Sequence, residues 1–152
     1  MVSYREHALD GASPVDLVVA LYDGIIRFLY AAIAAVERGD VPGRRAAVKR
    51  ALAIFIHLQA RLRMDIGGRP AKVLSEFYAS MFALILQASQ SASSKRFEEV
   101  IASVRSVRDA WRQVATDQRM QLHPEVNLPA TPRSLPVNHP TQESDQRSRW
   151  TA

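Results

Sequence analysis

Cysteine is absent from this 152-residue chain. That excludes a disulfide framework, a thiolate metal site and a cysteine nucleophile, and nothing argues for an oxidising compartment. Aromatic residues are few, at 7%, and glycine occurs six times. No apolar run in the sequence approaches the roughly 18 residues of a membrane span, and MVSYREHALDG at the start lacks a signal peptide's apolar stretch. A cytoplasmic protein without membrane insertion is expected. Strong single-sign charge is missing too. The net charge is +5, of which +4 lies up to residue 118 and +1 beyond it, with basic and acidic groups interleaved. A nucleic-acid binder concentrates such charge on one face. The sign itself favours an acidic partner.

What is present is helical periodicity. Proline and glycine punctuate four segments, 14–38, 44–66, 71–90 and 95–118, in which apolar residues recur at three and four. Ser13-Pro14 with Asp16 reads as an N-cap, a first-position proline and an acid in the first turn. Arg38-Gly39-Asp40-Val41-Pro42-Gly43, Gly67-Gly68-Arg69-Pro70 and the run Ser89–Ser94 break the pattern, with Ser94 as the expected cap of the last segment. The second segment carries Val48, Leu52, Phe55, Leu58, Leu62 and Ile66 as its stripe. The fourth carries Phe97, Val100, Ile101, Val104, Val107, Trp111 and Val114. Short connections between rods of matched length predict an all-α, antiparallel up-down four-helix bundle over 14–118, preceded by a short N-terminal capping segment, 1–13. Five of the eight prolines fall after residue 118, where periodicity stops, so 119–152 reads as a disordered proline-rich C-terminal tail. Trp150 lies in it.

No catalytic constellation is expected. His57 is the one histidine inside the bundle and has no carboxylate or second histidine at i±3 or i±4, so no metal pair forms. The Gly67-Gly68 pair lacks the Lys-Ser/Thr of a phosphate loop. Neither an enzyme nor a cofactor is anticipated.

Surplus apolar circumference is the unusual feature. The fourth segment confines its apolar groups to an arc of roughly 140°, but the first spreads them over nearer 220°. Val19, Ile26, Tyr30 and Ile33 extend its core stripe on one side. The third segment spreads similarly through Leu74, Tyr78, Phe82 and Ile85. Helices covered by two neighbours explain part of that excess. The flanks Val19–Ile26–Tyr30 and Tyr78–Phe82–Ile85 are the candidate walls of grooves for a partner's amphipathic helix. Trp111 reads as a core anchor, Arg108 within its stripe as snorkelling or paired to a carboxylate, and Gly24 as a point of close backbone approach.

Tyr4, Ala12-Ser13-Pro14-x-x-Leu17-Val18, and Leu21-Tyr22-Asp23-Gly24 with Phe28-Leu29 resemble the opening of the FliS family of flagellin-specific export chaperones. The similarity continues through Arg50-Ala51, Gly67-Gly68, Leu74, Phe77-Tyr78, Met81, Glu99-Val100 and Arg108-Asp109-Ala110-Trp111, covering about residues 4–115. The resemblance implies a cytoplasmic helical chaperone that binds the C-terminal region of unassembled flagellin. Such binding blocks premature polymerisation and keeps the subunit competent for flagellar type III export. It implies the flagellar export gate and other flagellar regulators as further partners, and an N-terminal segment carrying Tyr4 that yields to the client. Tyr22 joins the partner-binding set on the same ground. The chain departs from the family pattern at Arg69-Pro70, Val73, Ser80 and Ser89, which leaves apolar contact to carry more of the binding. The alternative reading, from a pI near 10.1, is a basic helical bundle associated with nucleic acid through residues such as Arg105 and Arg112.

Overall fold

A computed structural model describes residues 13–122, side chains of residues 64 and 65 excepted. Four helices follow one another: α1 (Pro14–Glu37), α2 (Val41–Arg61), α3 (Met64–Gln90) and α4 (Ser94–Leu122). Residues up to Thr116 belong to one compact unit and those from Asp117 to another, of which the described residues 117–122 continue α4. α4 therefore runs past residue 118, where the periodicity placed the end of the bundle, and residues 123–152 of the expected tail lie outside the described residues. Tyr4 and Trp150 lie outside the described residues.

Local chemistry sets the helix ends. Ser13 forms the anticipated capping box: its hydroxyl accepts from the Asp16 N–H at 3.1 Å, and the Asp16 carboxylate accepts in return from the Ser13 N–H at 3.4 Å. Asp40 caps α2 by accepting from the Gly43 N–H at 2.8 Å. That bond, with Arg38 alongside, holds the Asp40 carboxyl below the usual range. α4 is capped by Ser93, whose hydroxyl accepts from the Arg96 N–H at 3.2 Å, and not by Ser94, which already lies in the helix.

The second connection departs from expectation. α2 stops at Arg61, Leu62 and Arg63 are extended, and the chain re-enters helix at Met64. Leu62 and Ile66 are thus not the end of the α2 stripe, and Ile66 stands out in solvent. One turn later Gly68 adopts φ 56°, ψ −142°, and Pro70 starts the long straight part of α3. A left-handed φ costs a residue with a Cβ, and proline at the head of a helix loses no hydrogen bond, so this pair makes the corner.

Cross-contacts show the antiparallel order. Gly24 faces Ile54 and Phe28 lies under Arg50 on α1 and α2; Gln59 bonds Ser75 and Arg44 bonds Ser89 on α2 and α3; Asp23 meets Arg108 and Tyr30 meets Arg105 on α1 and α4. Within each pair of helices one number rises as the other falls. The core holds Tyr22, Ile25, Leu29, Phe55, Ile85, Phe97 and Val104 at its centre. Gly24 is explained by a side chain, not a backbone: a Cβ there would sit 3.1 Å from Ile54 Cδ1.

α1 also corrects an expectation drawn from the sequence. It is the one described helix long and apolar enough, by length and composition, to cross a membrane. Core helices of water-soluble bundles pass the same test. Here Tyr22, Ile25, Leu29, Ala32 and Ala35 of α1 are fully buried in the bundle.

Candidate functional site

Among the described residues, apolar surface opens at several places on the bundle. One is a trough between α2 and α3, made of two adjoining clefts. One, about 540 Å³, is walled by Phe55, Ile56, Gln59 and Ala60 of α2 and by Ser75, Tyr78, Ala79 and Phe82 of α3. The other, about 460 Å³, is walled by Arg45, Val48, Lys49, Leu52, Ala53 and Ile56 of α2 and by Phe82, Leu86 and Ser89 of α3. Ile56 and Phe82 belong to both, so the clefts run into one another. Ile56 is 60% exposed and Leu86 43%, far more than large aliphatic groups on a well-covered face need to be. From Arg45 to Ala60 the trough follows about 22 Å of helix at about 1.5 Å per residue, the length of a four-turn helical ligand.

A second opening, about 530 Å³, lies between α3 and α4 and is lined by Arg69, Pro70, Val73, Leu74, Val107, Ala110, Trp111 and Val114. A smaller one, about 290 Å³, sits where α1 begins, among Pro14, Val15, Val18, Leu58, Arg61, Leu62, Leu74, Tyr78 and Trp111. Leu74 and Trp111 are common to these two. Trp111 is partly buried: it packs on the core as a wall between openings and does not lie at its centre.

Beneath the trough lies a polar pair. The hydroxyls of Tyr22 and Tyr78 share a hydrogen bond of 2.8 Å, with the rings edge-on at 6.3 Å between centroids. The Trp111 indole also acts on Tyr22, as a donor that favours its ionised form. Burial pushes both phenols above their usual pKa. For Tyr78 the neighbouring Tyr22 adds to the rise, while for Tyr22 the bonds to Tyr78 and Trp111 offset part of it. Phe55 and Phe77 flank Tyr78 with ring centroids 5.9 and 6.0 Å away. The pair fixes the floor from which Tyr78 presents one ring edge to two openings.

The anticipated partner-binding residues divide. Phe82, Leu74 and Tyr78 do line openings. Tyr22 and Ile85 are completely buried, and Ile26 and Ile33 nearly so. These four serve the interior, Tyr22, Ile26 and Ile33 on the packed faces of α1 and Ile85 on the inner face of α3. Val19 is half-buried, and Tyr30 is 48% exposed with its hydroxyl accepting from Arg105 at 2.7 Å. Of the first-helix flank, Ile26 and Ile33 are thus taken up by the fold while Val19 and Tyr30 keep some exposure, and further open apolar surface lies on α2. Its residues Ile56, Leu52, Ala53 and Ala60 lie outside the set expected from periodicity. Ile56 stands off the Val48–Phe55 stripe, an isoleucine on a face otherwise polar or small, and that is the one signal of them in the sequence.

Arg108 pairs with a carboxylate, as one of its two readings had it. Its guanidinium donates to Asp23 at 2.8 Å and to Asp109 at 3.0 Å, and Arg112 stands 3.6 Å from the other Asp23 oxygen. Arg105, Arg108 and Arg112 thus each have a partner on the bundle, which removes the basis for reading α4 as a phosphate-binding face.

The family model for the flagellar protein FliS matches residues 1–118. The flagellar secretion chaperone FliS of Campylobacter jejuni is 34% identical over 116 residues, covering 76% of this chain and 91% of that protein. The FliS chaperone of Vibrio cholerae is 32% identical over 120 residues, 79% and 88% of the two chains. That of Salmonella typhimurium is 33% identical over 117 residues, 76% and 87%.

Proposed function

This chain belongs to the FliS family of flagellar secretion chaperones, and from that premise we propose that it acts in the cytoplasm on flagellin. It binds the C-terminal region of the unassembled subunit, prevents its premature polymerisation and delivers it competent for type III export. The α2–α3 trough is the seat of a client helix. The observation that carries this reading is the exposure of Ile56 and Leu86 along a continuous apolar channel about four turns long. A disordered segment that folds on binding surrenders several kcal/mol of chain entropy, so its receptor must offer wide apolar surface already held open. A rigid bundle with a buried tyrosine pair under the trough does this without reorganising.

The α3–α4 opening, with Val73 and Val114 at its rim, is a second contact region for the same extended client or for the export gate and flagellar regulators. No enzymatic step is assigned.

The test is co-purification of the full chain with flagellin, and with flagellin lacking its C-terminal segment. Full-length flagellin is retained and the truncated form is lost. Ile56→Asp and Leu86→Asp, each on an exposed position, abolish retention while leaving the bundle folded. Retention by both variants would move the client off this trough.

A further inference from the structure

Charge along the α2–α3 trough is one-sided. α2 contains five cations and no Asp or Glu, and α3 has no charged residue between Tyr78 and Gln90. Two of those cations, Arg45 and Lys49, line the trough itself, at the end nearer the start of α2. Arg44 stands at the same end, its Nε donating to the Ser89 hydroxyl at 3.2 Å. Among the described residues neither Arg45 nor Lys49 makes an ion pair, and both are exposed. The residues that line the opposite end are uncharged: Gln59 donates to Ser75 at 2.8 Å, with Ala60 and Ala79 beside them, while Arg61, next along α2, lines the opening at the start of α1 instead. Elsewhere on the bundle, arginines such as Arg38 and Arg108 are matched to carboxylates.

We propose that the trough takes an amphipathic helix whose apolar stripe carries carboxylates at one end, and that Arg45 and Lys49 fix the direction in which it docks. The proposal rests on the reading of this trough as the client site and specifies the chemistry of what enters it. An apolar channel alone is nearly symmetric end to end, so it accepts a helix in either direction. Two unpaired cations at one end break that symmetry. Rim charges contribute modestly to affinity but strongly to orientation, partner choice and encounter rate. A carboxylate laid over this end gains two neighbours of opposite sign, while a lysine there meets repulsion, with no acid among the residues that line the cleft.

Two synthetic helical peptides of about four turns, with one identical Leu stripe, test the idea on the full chain. One carries two Glu at one end and the other carries two Lys there. Fluorescence anisotropy is read at about 50 mM and about 500 mM salt, where the Debye length falls from near 14 Å to about 4 Å. The Glu peptide is expected to bind about tenfold tighter at low salt, the preference shrinking to about twofold or less at high salt. The double variant Arg45→Glu/Lys49→Glu reverses the preference, with its thermal midpoint unchanged because both side chains are exposed. Equal affinities, a preference the double variant does not alter, or tighter capture of duplex DNA than of the Glu peptide would each overturn the proposal. Flagellin binding is measured alongside. Wild-type protein that discriminates the peptides but ignores flagellin defeats the chaperone reading alone; flagellin bound with no peptide discrimination defeats the charge assignment alone.

Discussion

The Tyr22 and Tyr78 hydroxyls meet 2.8 Å apart in the middle of an otherwise apolar core, and of the two it is Tyr22 whose pKa the Trp111 indole also lowers. This asymmetry makes the two tyrosines unequal. Tyr78→Phe removes the acceptor of the Tyr22 O–H but leaves the Trp111 indole beside that oxygen, and costs about 1 kcal/mol. Tyr22→Phe strands the buried Tyr78 hydroxyl and costs about 2 kcal/mol, the penalty of an unsatisfied polar group. Urea denaturation of the two single variants and the double variant measures this. Equal costs would mean that Trp111 contributes nothing to Tyr22.

Alkaline sensitivity follows from the same pair. Both phenols have folded pKa values raised above the ordinary 10.0. The folded state therefore holds protons that the unfolded chain releases above pH 10. The contribution of each tyrosine is complete below that pH and is lost as pH climbs toward the folded values, at up to about 1.4 kcal/mol per pH unit for each. Thermal midpoints between pH 8 and pH 11 are expected to fall beyond pH 10, and less steeply for Tyr78→Phe. A decline as steep in the variant as in the wild type would assign the limb to other groups.

Aspartate substitution separates interior from trough. Ile26 is 7% exposed within the core, so Ile26→Asp buries an unpaired carboxylate and costs more than about 4 kcal/mol, enough to unfold a small domain. Ile56→Asp changes stability by no more than about 0.5 kcal/mol, because the side chain already faces water. Circular dichroism melts of the two proteins decide it, and similar melts would contradict the burial assigned to Ile26.

The corner before the long part of α3 depends on Gly68. A Cβ at this position would point into open space, with no atom within 4 Å, so the cost of a substitution is the backbone strain of a φ of 56°. Gly68→Ala is expected to destabilise by about 1 kcal/mol and Gly68→Asn by less, since asparagine tolerates left-handed φ. Gly67→Ala acts differently, driving its Cβ to 2.6 Å from that of Ala71. An unchanged urea midpoint for Gly68→Ala would show that the corner relaxes freely.

Helices and the first cap are legible in the sequence because they depend on near neighbours: Ser13 with Asp16, and the three-four spacing of Val100, Val104 and Val107; the cap of α4 reads as Ser94 where Ser93 supplies it. The α2 boundary is not legible, since Leu62 and Ile66 continue the apolar rhythm past the point where the backbone turns. The residues that line the openings are legible in part. Periodicity finds Phe82 and Leu74 on α3, but it places Ile26 and Ile33 of α1 on the surface and misses Ile56 on α2.

A helical wheel counts how much apolar surface a rod carries, and that quantity is written in the residues themselves: this chain has more than a minimal bundle needs. Which rod keeps its excess hidden depends on how many neighbours it touches. α1 is enclosed, and α2 and α3 separate enough to leave Ile56, Phe82 and Leu86 at an open seam. Burial is a property of pairs of surfaces, not of one helix, so only the packed arrangement could tell a core isoleucine from an exposed one, or set Arg45 and Lys49 over the end of that seam.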